Sequence, residues 1–149
     1  MELKKELIRQ CNIIVNTRLQ TVTKTISSHQ KALQSETKSS AGDKHETGRA
    51  MLQLEMEKAS QQLGVNQEML TTLSKIDTSK TGKNAHLGSV IYTTQNNYFL
   101  TVSIGKLRVL KEDFFVVSLY SPIGRLLLGK KEKETIFFNG KTIGIKNIL

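Results

Sequence analysis

The sequence predicts an α+β fold in which an antiparallel α-helical hairpin is followed by a small antiparallel β-sheet domain with one short helix. Apolar residues recur at three- and four-residue steps through the first half of the 149-residue chain. Short β-branched and aromatic segments, separated by turn residues, fill the second half. All eight Phe and Tyr residues fall at or after Tyr92, so a large compact core belongs to the second half.

A coiled-coil hairpin is predicted over residues 1–76, with its tip near residues 39–49. No Pro or Gly precedes Gly42, and the apolar stripe of the first helix comprises Leu3, Leu7, Cys11, Val15, Leu19, Val22, Ile26 and Leu33. After an interruption at residues 39–42, a second stripe comprises Met51, Leu54, Val65, Met69, Leu73 and Ile76. Neither stripe can be buried alone, so the two helices are expected to pair.

Residues 77–84 are rich in turn formers and charge, which predicts a linker to a C-terminal domain over residues 85–149. Strands are predicted near residues 89–94, 98–103, 114–119, 135–138 and 142–145. Ser121-Pro122 is typical of a helix start, and Gly129 suits the end of that helix. Asn139-Gly140 predicts a type I′ hairpin between the last two strands.

The formal net charge is +9, and its basic excess lies mainly after residue 76. Such a charge favours a polyanion or an acidic protein surface as partner. The single cysteine, Cys11, excludes an internal disulfide, and no apolar run approaches the roughly 20 residues of a membrane span. No membrane association and a cytoplasmic location are therefore expected.

The hairpin tip carries Asp43 and Glu46, which lie three residues apart. This spacing is typical of a capping box at a helix start. The same two carboxylates could offer oxygen ligands to Mg²⁺ if a second macromolecule completed the site, because Mg²⁺ is held in proteins by one or two carboxylates with further ligands from elsewhere. Spacing alone leaves both interpretations open, and His45 adds only weak evidence for a softer metal.

Two segments resemble the bacterial Gre transcript-cleavage factors. Gly42-Asp43-x-x-Glu46, between two long helices, is similar to their acidic tip. The longer match is the C-terminal signature of the family, which is similar to Val117-Ser118-Leu119-Tyr120-Ser121-Pro122-Ile123-Gly124-Arg125-Leu126-Leu127-Leu128-Gly129-Lys130. With the predicted hairpin upstream, the resemblance covers nearly the whole chain.

This resemblance implies an FKBP-like C-terminal domain that binds bacterial RNA polymerase, and a coiled coil that enters the secondary channel of the polymerase. Asp43 and Glu46 would be the catalytic tip acids, holding Mg²⁺ that is shared with the polymerase and bound only within the complex. The polymerase would then cut its own backtracked RNA. The protein itself would be no enzyme but an accessory factor. The 3′ end of the nascent RNA is a further candidate contact. Docking is expected at Ser121, Pro122, Ile123, Arg125 and Lys130.

The tip departs from the family pattern, because Thr47, Gly48, Arg49 and Ala50 replace the expected Asn, small residue, acid and Tyr. Arg49 would compensate the charge of the tip acids. A non-cleaving modulator or inhibitor of the polymerase is therefore an alternative. A coiled-coil adaptor or peptide-binding module, including a proline isomerase, is an alternative of another class. The Gly42 break and the similar lengths of the two stripes favour a monomer.

Overall fold

The computed structural model describes residues 2–38 and 42–149, with the side chains of residues 36–46 outside that description. The chain divides into two compact units. The arm unit comprises Ile13–Thr71, and the sheet unit comprises Met1–Asn12 together with Thr72–Leu149.

Two long helices form the predicted hairpin. Helix α1 spans Glu2–Lys38 and α2 spans Gly42–Ser74. Of the predicted interruption, residues 39–41 lie outside the described residues, and Gly42 is the first residue of α2. The seam predicted for α1 is confirmed where the helix is most buried. Leu7, Cys11 and Val15 are fully buried, and Val22 is 8% exposed. In the part of the chain that the structure describes, no helix is long and apolar enough to cross a membrane.

The stripe predicted for α2 is wrong over much of its length. Met51, Leu54 and Val65 are 65%, 54% and 52% exposed. Among the described side chains of α2, the buried ones are Ala59, Asn66 and Leu73, which follow one another at seven-residue intervals as in a coiled-coil seam. Of these three, Leu73 belongs to the predicted stripe, whereas Ala59 and Asn66 do not. A small residue and a polar residue occupy this seam, so the strongest apolar residues do not mark it.

A six-stranded sheet forms the centre of the sheet unit, with strand order β3-β4-β2-β1-β6-β5. Its elements are β1 Val90–Thr93, β2 Asn97–Thr101, β3 Gly105–Val109, β4 Glu112–Ser118, α3 Pro122–Leu127, β5 Thr135–Phe138 and β6 Lys141–Ile148. Every pairing is antiparallel except β2 with β4, which is parallel. The sheet is therefore mostly antiparallel, and β3 is a strand that the sequence analysis missed.

Strand β3 lies at the edge of the sheet, and this position explains why its sequence has few apolar residues. The strand pairs only with β4, and Lys106 and Arg108 on it are exposed. A charged edge strand has few of the apolar residues that identify buried strands, and such charges protect sheet edges from pairing with other chains. Placing β3 outside β4 also lets β2 and β4 become neighbours, which produces the one parallel pairing.

Both faces of the sheet are covered over strands β1, β2 and β4. Ile91, Leu100 and Leu127 are fully buried in the core on the face that carries α3. On the opposite face, Phe99 lies beside Val116 in the strand register, and both are at most 1% exposed. The resulting unit holds α3 between a packed sheet and solvent, with one helix face exposed.

Candidate functional site

Within the segment Val117 to Lys130, which resembles the Gre signature, Ser121 caps helix α3. Ser121 has an extended backbone, and its Oγ accepts a hydrogen bond from the Gly124 N–H at 3.1 Å and donates one to the Ser118 carbonyl at 2.7 Å. Pro122 occupies the first turn, where its missing N–H costs nothing. The predicted helix start is confirmed, and Ser121 joins the end of β4 to the start of α3.

The close approach of neighbouring atoms requires glycine at position 124. A Cβ atom at this position would overlap the carbonyl oxygen of Ser118 and crowd the hydroxyl of Ser121. The neighbouring Ile123 is 7% exposed and belongs to the core. The absence of a side chain at Gly124 therefore lets α3 sit directly against the end of β4.

The other end of α3 is fixed to the start of the domain. The Gly129 N–H donates to the Ala85 carbonyl, and the Ala85 N–H donates to the Lys130 carbonyl, both at 2.8 Å. Gly129 has a φ of 83°, a value that glycine adopts readily and that ends the helix as the sequence predicted. These two hydrogen bonds tie residue 85 to the end of the signature.

The five predicted docking residues therefore differ in accessibility. Ser121 and Ile123 hold α3 in place, whereas Pro122 and Arg125 are exposed and Lys130 is half-buried. Arg125 lies in the last turn of α3, where a positive charge complements the helix dipole. Direct contact of these residues with a partner stays a prediction, and Pro122 and Arg125 are the positions that a partner could reach.

Basic side chains are prominent after α3. Lys131, Lys133, Lys141 and Lys146 are exposed. Two acidic neighbours are occupied by backbone hydrogen bonds instead. Glu134 accepts from the Lys131 N–H at 2.8 Å, and Glu132 accepts from the Ile148 N–H at 3.4 Å. Among the described residues, none of these four lysines forms an ion pair.

The tip acids lie at the start of α2. The helix begins at Gly42, which places Asp43 and Glu46 in its first two turns, and their side chains lie outside the described residues. Carboxylates at a helix start are stabilised by the helix dipole. Thr47 and Arg49, which depart from the family pattern, are exposed. Among the described residues, no group of three or more His, Cys, Asp or Glu side chains could hold a metal ion.

One buried charge was missed by the sequence analysis. The Lys4 side chain is fully buried, and its Nζ donates to the Lys80 carbonyl at 3.0 Å. Burial lowers the pKa of Lys4, while the Asp77 carboxylate raises it in part. The sequence signal that could have identified it is its position one turn before Leu7 and two turns before Cys11, which places Lys4 on the buried side of α1. Lys4 links the base of α1 to the segment that precedes the sheet.

Cys11 is a packing residue, in agreement with its place in the predicted apolar stripe of α1. It is fully buried, and burial raises the pKa of its thiol to about 12. A thiol with so high a pKa is almost entirely protonated at neutral pH and is therefore a poor nucleophile.

No protein-family model and no curated protein matches the chain. Among solved structures, the GreA factor homolog 1 (Gfh1) protein of Thermus thermophilus is similar at 15% sequence identity, with 91% of this chain and 92% of that chain covered and a TM-score of 0.37. A structure of the transcription factor Gfh1 is similar at 17% identity, with 90% of each chain covered and a TM-score of 0.36. Similarity at this level assigns neither a family nor a function to this chain.

Proposed function

We propose that this chain is a Gre-like transcription elongation factor that binds bacterial RNA polymerase and stimulates cleavage of backtracked RNA. The observation that carries the proposal is the segment from Val117 to Lys130. Its residues resemble the Gre signature, and Ser121, Pro122, Gly124 and Gly129 within it determine the start, the packing and the end of α3. A helical hairpin with Asp43 and Glu46 at the start of its second helix lies upstream in the order that the proposal requires.

In this proposal the sheet unit docks on the polymerase and the hairpin enters the secondary channel. The exposed residues Pro122 and Arg125, together with the lysines after α3, would face an acidic polymerase surface. Charge of this kind raises the association rate and fixes orientation more than it raises affinity. The nascent RNA 3′ end is the substrate of the polymerase, and this chain acts as an accessory factor without an active site of its own.

Asp43 and Glu46 would hold Mg²⁺ jointly with the polymerase. Two carboxylates suit this hard cation, and they are too few to bind it without ligands from a partner. When bound, the ion supplies charge stabilisation and water activation as in two-metal phosphoryl chemistry. The role of the chain is to carry the two acids on the first two turns of a long helix, so that they reach the reacting RNA together.

The test is RNA cleavage in a purified backtracked elongation complex with Mg²⁺. We expect the wild-type protein to accelerate shortening of the RNA, and the Asp43→Ala/Glu46→Ala variant to lose this effect while still competing for the polymerase. Glu55→Ala/Glu57→Ala is the matched control, because both acids are exposed on α2 beyond the tip. Loss of stimulation in the control as well would show that general acidity of α2, and not the tip pair, is responsible.

A second candidate function is favoured by one feature of the tip. Arg49 is an exposed cation three residues after Glu46, where the family pattern has an acid. A positive charge there weakens cation binding, which would leave a channel-binding protein that modulates or inhibits polymerase without cleavage. Competition with a cleavage-active factor, combined with no RNA shortening, would establish this alternative. No binding to polymerase would contradict both candidates.

A further inference from the structure

The arm unit carries an open groove between its two helices, away from the tip. The groove has a volume of about 440 Å³, and the residues that define its chemistry are Arg18, Lys58, Gln62, Val65, Asn66 and Met69. A second groove of about 330 Å³ shares Arg18, Gln62 and Asn66 and continues to Thr21 and Val22. The two grooves therefore form one depression along the seam of the hairpin.

The exposed lining of this depression, which forms its floor, is more apolar than polar, although polar side chains contribute to it. Val22 is 8% exposed at its base, whereas Val65 remains 52% exposed beside it, and Met69 is half-buried. The Asn66 amide donates one hydrogen bond to the Gln62 carbonyl within the same helix at 2.9 Å. An apolar floor left open to water favours a ligand with an apolar surface of its own.

Two cations border the floor. Arg18 and Lys58 are exposed, and neither forms an ion pair within the described part of the chain. No acidic residue lines either groove. The depression therefore has a net positive border around an apolar centre, and a complementary ligand would carry carboxylates beside an apolar face.

The same face of α2 extends well beyond the groove. Met51 and Leu54 are 65% and 54% exposed. At about 100° per residue, positions 51, 54, 58, 65 and 69 fall within a sector of about 60°. This stripe is roughly 27 Å long at 1.5 Å per residue, which is the length of a helix of about 18 residues.

We propose that this stripe and groove bind an acidic amphipathic helix of a partner protein. The apolar side chains of that helix would pack on Val65 and Met69, and its carboxylates would face Arg18 and Lys58. A third helix fits a groove between two helices by the ordinary packing of side-chain ridges. Single-stranded nucleic acid is a poorer fit, because no aromatic side chain is present in the arm for bases to stack on.

The proposal goes beyond the proposed function and does not depend on it, so its test uses no polymerase. The probe is a fluorescein-labelled 18-residue helical peptide with Leu on one face and Glu on both flanks. Its binding to the full-length protein is measured by anisotropy. The comparison peptides are a scrambled form of the same composition and a form with Lys in place of Glu. We expect the amphipathic acidic peptide to bind at least tenfold more tightly than either.

Variants of the protein test where the peptide binds. We expect Arg18→Glu/Lys58→Glu to weaken binding at least tenfold, and Val65→Asp to do the same. Lys24→Glu/Lys31→Glu is the matched control, because both lysines are exposed on α1 and neither lines the grooves. It should change affinity less than twofold. Circular dichroism confirms folding, and Arg18→Gln/Lys58→Gln serves as the milder pair if charge reversal unfolds the arm.

Several results would overturn the proposal. Absence of peptide binding is one, and equal binding of the scrambled peptide is another, because it would reflect charge alone. Equal loss in the Lys24→Glu/Lys31→Glu control would place the site elsewhere. Tighter binding of a labelled single-stranded oligonucleotide, with the same dependence on Arg18 and Lys58, would assign the depression to nucleic acid instead.

Discussion

The two units of this protein differ in how many side chains they bury and in how large those side chains are. Within the described residues of the arm unit, the buried side chains are Val15, Val22, Ala59 and Asn66. The sheet unit, in contrast, buries large side chains on both faces of its sheet. The difference suggests that close packing fixes the sheet unit at many positions at once, whereas the arm depends on a narrow seam and tolerates change along most of its surface.

The largest effect should come from Gly124→Ala in the sheet unit. The added methyl group would overlap the Ser118 carbonyl, so α3 would have to leave its position on the core. We expect a loss of about 3 kcal/mol or more in the free energy of unfolding, as overpacking of a tight site produces. Urea denaturation measures it. A loss below about 1 kcal/mol would contradict the tight packing attributed to this site.

Lys4→Ala should be the next largest, at about 2 to 4 kcal/mol, because it removes a buried stem and leaves the Lys80 carbonyl without its donor. Lys4→Met is the control that keeps most of the volume. Burial lowers the pKa of Lys4 in the folded state below its ordinary 10.5. Between that lowered pKa and 10.5, the unfolded state therefore holds a proton that the folded state has released. Wild-type stability should therefore rise relative to Lys4→Met as pH approaches 10.5. An unchanged difference would contradict the burial of the charge.

A smaller effect is expected at a strained turn in the sheet unit. Leu110 and Lys111 connect β3 to β4 with φ values of 50° and 70°, whereas Asn139-Gly140 makes the equivalent turn with residues suited to it. We expect Leu110→Asn/Lys111→Gly to raise stability by about 1 kcal/mol. Thermal denaturation measures the gain. A loss would show that Leu110, although 59% exposed, contributes more than its strain costs.

The smallest effect should come from Gly64→Ala in the arm. A Cβ at this position meets no atom within 4 Å, and alanine is the better helix former. We expect a gain of about 0.5 to 1 kcal/mol. The same substitution thus has opposite signs at residues 64 and 124. A destabilised Gly64→Ala variant would mean that the arm is packed more closely than its exposed surface indicates.

The sequence predicted the fold wherever a feature depends on local chemistry. Ser121, Pro122 and Asn139-Gly140 determine their cap and turn within a few residues, so these predictions were confirmed. Predictions failed where burial depends on distant parts of the chain. Asn66 replaced the expected apolar residues in the seam of α2, and Lys4 was buried by a contact with residue 80. The edge strand β3 lacked an apolar pattern because solvent covers one side of it.

The candidate site was predicted less completely than the fold. Ser121 and Ile123 lie in a segment that resembles a family signature, but such a resemblance does not separate residues that hold α3 from residues that a partner can touch. The stripe of Met51, Leu54 and Val65 was identified by its apolar character and assigned to the wrong surface. The sequence does not show which of these side chains are exposed to solvent. Their exposure depends on how the two helices pair, and residue types alone do not determine that pairing.

The burial of Cys11 has a practical consequence for experiments on the arm. It is the single cysteine of the chain, and its thiol is shielded from solvent in the folded protein. A cysteine introduced at an exposed position such as Val65 or Thr47 would therefore react with a maleimide dye while the native thiol stays unlabelled. The wild-type sequence can serve directly as the background for single-site fluorescence, spin-label and crosslinking measurements.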